Sequence, residues 1–137
     1  ICGKSLCRPP FQGFTPILTH PERNYMIQQR PNLVEDWVQQ GTLIQVTAMS
    51  LTGEFGDTAR EAALTLLDGG WVHFVATDAH SPAWRKPLLS GVAGLLRQRI
   101  GEAGVRRLLE ENPRRMLAGL DPLEAGLAIA RHSAMNQ

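Results

Sequence analysis

Three short apolar runs, residues 14–19, 43–48 and 71–77, alternate along the chain with stretches whose apolar residues recur at helical spacing. Strands alternating with helices predict parallel βαβ units. The runs are apolar almost throughout rather than at every second position, so covering helices on both faces are expected, and the fold class is α/β. The first run ends at His20-Pro21, where proline stops a central strand from continuing, and reads as a buried strand. Leu33, Val34, Trp37 and Val38 then mark a short helix after Asn32, with Gly41 as its stop. Residues 50–56 read as a loop. Thr58 and Glu61 form a capping-box pattern for a helix with Ala62, Ala63, Leu66 and Leu67 on one face, closed by Gly69-Gly70. Further helical patterns cover about 87–99 and 102–111, then a short one entered by Asn112-Pro113 and closed by Gly119, and a last one opened by Asp121-Pro122. Residues 1–13, with Pro9, Pro10 and two glycines, read as an irregular lead-in.

The length of 137 residues fits one domain. Three strands are too few to close a barrel, and a complete (β/α)8 barrel takes roughly 250 residues, so the pattern looks like about half of one. Fourteen Lys and Arg against thirteen Asp and Glu give a net charge of +1. No bulk positive field marks a nucleic-acid binder, and no nucleic-acid partner is expected. The basic residues are nearly all arginine, Lys4 and Lys86 being the only lysines, and arginine suits bidentate contact with carboxylate or phosphate. Cys2 and Cys7 cannot build a disulfide framework or a four-cysteine zinc site. No apolar stretch approaches the roughly 20 residues that span a bilayer, and no signal-peptide pattern opens the chain. No membrane insertion is expected, and the expected compartment is the cytoplasm.

The strongest chemical signal is Thr77-Asp78-Ala79-His80, directly after an apolar run. Side chains at i and i+2 of an extended segment point the same way, so Asp78 and His80 are expected to converge at the carboxyl edge of the sheet. In parallel α/β folds that edge carries the active site. A carboxylate with an imidazole suits a divalent metal such as Mn, Zn or Fe. Without further support, an Asp cap beside a solvated His explains the same residues equally well. His20 occupies the same situation after the first run, and the coincidence strengthens both assignments. Arg23 follows His20 by three residues and Arg85 follows His80 by five, placing fixed positive donors where a phosphoryl group beside a metal needs them. His73 lies inside its apolar run and reads as a core histidine, or one that supports a neighbouring site, rather than as a metal ligand. His132 and the helix-borne arginines at 97, 99, 106, 107, 114 and 115 read as solvated. The Cys2-x5-Arg8 spacing of cysteine phosphatases lacks the required preceding strand and following helix. Gly3-Lys4-Ser5 lacks the rest of a P-loop.

Read together, residues 16–23 (PILTHPER), 45–56 (QVTAMSLTGEFG), 72–80 (VHFVATDAH), Asn112-Pro113 and Leu117-Ala118-Gly119 resemble, in order, the bacterial capsular-polysaccharide (CpsB/CapC-like) protein-tyrosine phosphatases of the PHP (polymerase and histidinol phosphatase) superfamily. The resemblance runs from about Phe14 to Gly119. It implies a distorted (β/α)7 barrel with a multinuclear metal centre, usually manganese-dependent. Phosphotyrosine hydrolysis there uses a metal-activated hydroxide, and the substrate is the tail of a bacterial tyrosine kinase controlling capsule or exopolysaccharide export. By position it makes His20, Asp78 and His80 metal ligands, and Arg23 and Arg85 the phosphate-binding catalytic arginines. A histidinol-phosphate phosphatase or other PHP phosphoesterase would share this logic, and a non-catalytic truncated module is the alternative from another class. The family opens with a His-x-His motif and acidic ligands that have no counterpart here, since His20 is the first histidine and no acidic residue precedes Glu22. The chain is therefore expected to be the carboxyl-terminal portion of such a barrel, a single domain over 1–137. It should be inactive or nearly so unless another segment or chain completes the centre, and its unpaired strand edges favour self-association into a homo-oligomer.

Overall fold

A computed structural model describes residues 13–83 and 89–122 of the chain. Its elements are β1 (Ile17–Thr19), a 3-10 turn (Pro21–Arg23), α1 (Tyr25–Gln29), α2 (Leu33–Gln39), β2 (Leu43–Thr47) and α3 (Ala48–Leu51). They continue with α4 (Asp57–Asp68), β3 (Phe74–Ala76), α5 (Ser90–Arg106), a π-helical turn (Arg107–Glu111) and α6 (Asn112–Leu117). The three strands form one parallel sheet in the order β1-β2-β3. Ile17 pairs with Leu43 and Thr19 with Gln45, while Gln45 pairs with Phe74 and Thr47 with Ala76. The expected α/β class and parallel pairing hold. Among the described residues the sheet is open and does not form a barrel.

The core gathers on β2. Ile44 and Val46 are fully buried, Val75 comes from β3, and Leu51, Ala63, Leu66 and Leu67 cover them from α3 and α4. Val92, Leu96, Val105 and Leu108 join from the later helices. Each such side chain removed from water contributes roughly 1.5–3 kcal/mol. These residues recur at three- and four-residue intervals, which is why the segments fold as helices against the sheet.

Several local expectations change. The first run is not a buried strand: only Ile17–Thr19 pairs, and Phe14 and Ile17 are 80% and 39% exposed, because β1 is an edge strand of the described sheet. The third run pairs only over Phe74–Ala76, although Trp71 and Val72 are buried beside it. Residues Ala48–Leu51, within and before the expected loop, make a helical turn. The Thr58–Glu61 capping box is not formed. Asp57 is the first helical residue, Gly56 stands at the cap with φ 95°, and no side chain caps α4. A left-handed glycine delivers the chain into the helix by backbone geometry alone, and Asp57 suits the positive end of its dipole. The expected break between 99 and 102 occurs at Gly101, whose φ of 72° and ψ of 174° interrupt α5. The expected start of that helix near 87, the last expected helix beyond Pro122 and His132 lie outside the described residues.

His73 is partly buried at the edge of the core and is tied into the sheet. Its Nδ1 accepts from the Ile44 amide at 3.0 Å, so that nitrogen carries no proton and the hydrogen of the neutral ring sits on Nε2. Its own amide donates to the Ile44 carbonyl at 2.9 Å, and the fully buried Asn112 donates to its carbonyl at 2.8 Å. Burial lowers the imidazole from its ordinary 6.5 to about 4. Between those values the unfolded chain binds the extra proton. This contribution to stability is therefore complete above pH 6.5 and lost as pH falls towards 4, about 3 kcal/mol in all. Urea unfolding compared at about pH 7 and about pH 4.5 should show most of that loss in the wild-type chain, and His73→Gln should lack this component.

Candidate functional site

All three strands point their carboxyl ends to one edge, and four of the expected site residues, His20, Arg23, Asp78 and His80, lie at or just past it. His20 follows β1 and continues its ladder by one bond, its amide donating to the Gln45 carbonyl at 2.8 Å. The backbone then turns sharply: His20 has φ 42° and ψ 48°, in the left-handed region. Asp78, two residues past β3, has φ 51°. These are the only non-glycine residues with positive φ among those described. His and Asp tolerate this conformation better than most side chains, at a cost of order 1 kcal/mol. Backbone strain of this kind concentrates where a side chain must be aimed.

Arg23 ties the two strand ends together. Its Nη1 donates to Asp78 Oδ2 at 3.3 Å, across a sequence separation of 55 residues. Its guanidinium also lies over the Phe55 ring, 4.6 Å from the centroid. A cation over an aromatic face is attracted by the ring quadrupole, worth roughly 0.5–2 kcal/mol depending on desolvation. Both partners of the ion pair are a little over one-quarter exposed, so the pair itself is worth about 1 kcal/mol or less. His80 places Nδ1 2.6 Å from the Asp78 carbonyl. A carbonyl only accepts, so Nδ1 carries the proton and Nε2 keeps the lone pair of the neutral ring. Metal-binding histidines are commonly oriented by a second hydrogen bond of this type.

The structure thus brings Arg23 to Asp78 and His80 to the Asp78 backbone, with His20 on the neighbouring turn. Arg85 lies outside the described residues. Imidazole and carboxylate donors are the right types for a divalent cation. Among the described residues, however, no group of three or more His, Cys, Asp or Glu side chains is gathered to hold one. Among the described residues the donor types fit a metal centre, but their number does not.

Two participants escaped the sequence reading. Phe55 sits in the 50–56 segment between Gly53 and Gly56, both at positive φ, and no periodicity marks an isolated loop aromatic as a partner for Arg23. Glu22 is fully buried although it stands between a proline and an arginine. Its Oε1 accepts from the Thr47 amide at 3.0 Å and from Ser50 Oγ at 2.7 Å, while Oε2 has no hydrogen-bond partner. An acidic residue just past a strand ordinarily signals solvent, and only the long-range pairing shows otherwise.

A parallel α/β sheet with an arginine–carboxylate pair and two histidines at its carboxyl edge defines a class of site suited to anionic, phosphate-bearing ligands. The comparisons with known proteins narrow that class. The family model described as capsular polysaccharide synthesis, CpsB/CapC, matches residues 4–118, and the chain belongs to that family. It is 45% identical over 69 residues to CapC of Staphylococcus aureus, covering 50% of this chain and 27% of that protein. It is 40% identical over 70 residues to the tyrosine-protein phosphatase YwqE of Bacillus subtilis (strain 168), covering 51% and 28%. It is also 24% identical over 110 residues to the tyrosine-protein phosphatase CpsB of Streptococcus pneumoniae, covering 77% and 45%. The fold superposes with a TM-score of 0.76 and 31% identity on a chain from the crystal structures of YwqE from Bacillus subtilis and CpsB from Streptococcus pneumoniae, described as unique metal-dependent tyrosine phosphatases. That match covers 82% of this chain and 45% of the other. The chain therefore spans less than half the length of the relatives it matches.

Because the Arg23–Asp78 pair is partly exposed, Asp78→Asn, which keeps the tolerance for left-handed backbone, should change the unfolding free energy by less than about 1 kcal/mol in urea titrations. Arg23→Ala should weaken binding of phenyl phosphate by about tenfold, as loss of a charge-assisted contact does, while Arg97→Ala leaves it unchanged in the same calorimetric titration.

Proposed function

We propose that this chain supplies the phosphate-binding side and part of the metal-binding side of a metal-dependent protein-tyrosine phosphatase. It would be the carboxyl-terminal portion of a PHP-type barrel, a single domain over residues 1–137. The observation that carries this reading is Arg23, which leaves the turn after β1 and reaches Asp78 beyond β3, so that one fixed cation joins two strand ends at the edge where such folds bind substrate. The kinship with tyrosine phosphatases, and the description of the superposed structures as metal-dependent, support the same activity.

In this reading Arg23, packed over Phe55, offers its N–H donors to the phosphoryl oxygens, and Arg85 provides a second cation. His20, Asp78 and His80 are the metal ligands, Mn first and Fe or Zn as alternatives. A divalent cation in a completed donor set would supply Lewis-acid polarisation of the phosphoryl group. The remaining donors come from outside the described residues. The substrate is the phosphorylated tail of a bacterial tyrosine kinase of capsule or exopolysaccharide synthesis, met in the cytoplasm. No described helix is long and apolar enough to cross a membrane. The open edge of β1 provides the surface for pairing with a second strand-bearing unit, including another copy of the chain. A non-catalytic role is the second reading, favoured by the lack of a three-donor cluster among the described residues.

The test is hydrolysis of a phosphotyrosine peptide with Mn added or with EDTA. Alone, the chain should stay near background. Mixed with the part of YwqE that it does not span, it should show Mn-dependent turnover, and Asp78→Ala should abolish that turnover. Complemented activity that ignores Asp78→Ala, or none on phosphotyrosine, would sink the phosphatase reading.

A further inference from the structure

The Thr47 amide shows what the buried carboxylate of Glu22 does. Amides of a parallel strand face a given neighbour at every second residue. The Leu43 amide donates to the Pro16 carbonyl at 2.9 Å, so two-residue steps assign the Thr47 amide to the His20 carbonyl. That carbonyl is elsewhere, accepting from the Arg23 amide at 3.1 Å as the chain closes the 3-10 turn. Glu22 Oε1 takes its place on Thr47 at 3.0 Å and accepts from Ser50 Oγ at 2.7 Å as well. The Glu22 carbonyl is held in turn by Gln28 Nε2 at 2.9 Å.

We propose that Glu22 is a positioning residue: its carboxylate substitutes for the His20 carbonyl at the end of the β1–β2 ladder, which frees His20 to turn left-handed and aims His20 and Arg23 along the sheet edge. Without a substitute acceptor, the Thr47 amide would be buried and unpaired, since Thr47 is only 3% exposed. The ladder would then draw the His20 carbonyl back towards Thr47 and unwind the turn that carries Arg23. One carboxylate atom thus meets a sheet amide and a helix hydroxyl, and the strain at His20 persists because its surroundings over-determine it. The proposal rests on the reading of His20 and Arg23 as site residues.

The test reads those two residues directly, in the labelled 137-residue chain without metal, by the His20 imidazole and Arg23 Nε–H resonances, and then by titration with phenyl phosphate. Glu22→Gln keeps an acceptor oxygen and should leave both resonances in place and phenyl phosphate affinity within about twofold of wild type. Glu22→Ala should shift both and weaken phenyl phosphate by about tenfold, the loss of one charge-assisted contact. Ser50→Ala, which removes only the hydroxyl donor, should move the same resonances in the same direction by less, and serves if Glu22→Ala does not fold. A lowered melting temperature with His20, Arg23 and phenyl phosphate binding unmoved would mean a merely structural role and overturn the proposal. So would Glu22→Gln behaving like Glu22→Ala. If the resonances move as expected but no variant, wild type included, binds phenyl phosphate, the positioning stands and the reading of Arg23 as a phosphate-binding residue of the unassembled chain falls, while the phosphatase reading is decided by the complementation assay.

Discussion

Parallel strands cannot be joined by a tight turn, so every pair must be separated by a crossover that returns the chain to the same end of the sheet. Here α1 and α2 make the return from β1 to β2, and α3 and α4 make it from β2 to β3. The constraint fixes two things together. It buries β2 between neighbours and helices, leaving Ile44 and Val46 without solvent contact. It also sends every carboxyl end to one edge, so residues as distant in sequence as Arg23 and Asp78 become neighbours without any dedicated long-range device.

The parts of this arrangement legible in the sequence are those set by local rules. Helical spacing in Ala62, Ala63, Leu66 and Leu67 and the apolar runs on either side were enough for the α/β order. The gap expected between 99 and 102 and the stop expected at Gly119 both fall on glycines at positive φ, Gly101 and Gly119, a conformation set locally. What the sequence hid depends on what covers what. The 14–19 run has a buried strand's composition, yet composition does not say which strand stands at an edge. The capping box at Thr58 and Glu61 failed because glycine geometry at Gly56 began the helix first.

The candidate site divides along the same line. His20, Asp78 and His80 follow apolar runs, so their place at the strand ends was readable, as was Arg23 on the turn. The left-handed backbone of His20 and Asp78 was not, since His and Asp permit it without demanding it. Glu22 and Phe55 were invisible as functional groups. A buried carboxylate and a loop aromatic gain their roles only from partners 25 and 32 positions away, Thr47 and Arg23. The short donor set is also a matter of assembly rather than composition, because acids and histidines are present but not gathered in threes among the described residues.

The two side chains that finish the ladders of β2 have one more consequence. His73 receives the Ile44 amide on one flank and Glu22 the Thr47 amide on the other, each standing where a strand carbonyl would otherwise sit. A parallel strand that slides by two residues keeps the same side chains facing the core, so hydrophobic patterning alone is blind to such a slip. An imidazole and a carboxylate keyed to single amides are not. They act as end stops, and a shifted β2 would cost both acceptors their amides at once, the Glu22 carboxylate fully buried and the His73 ring partly so.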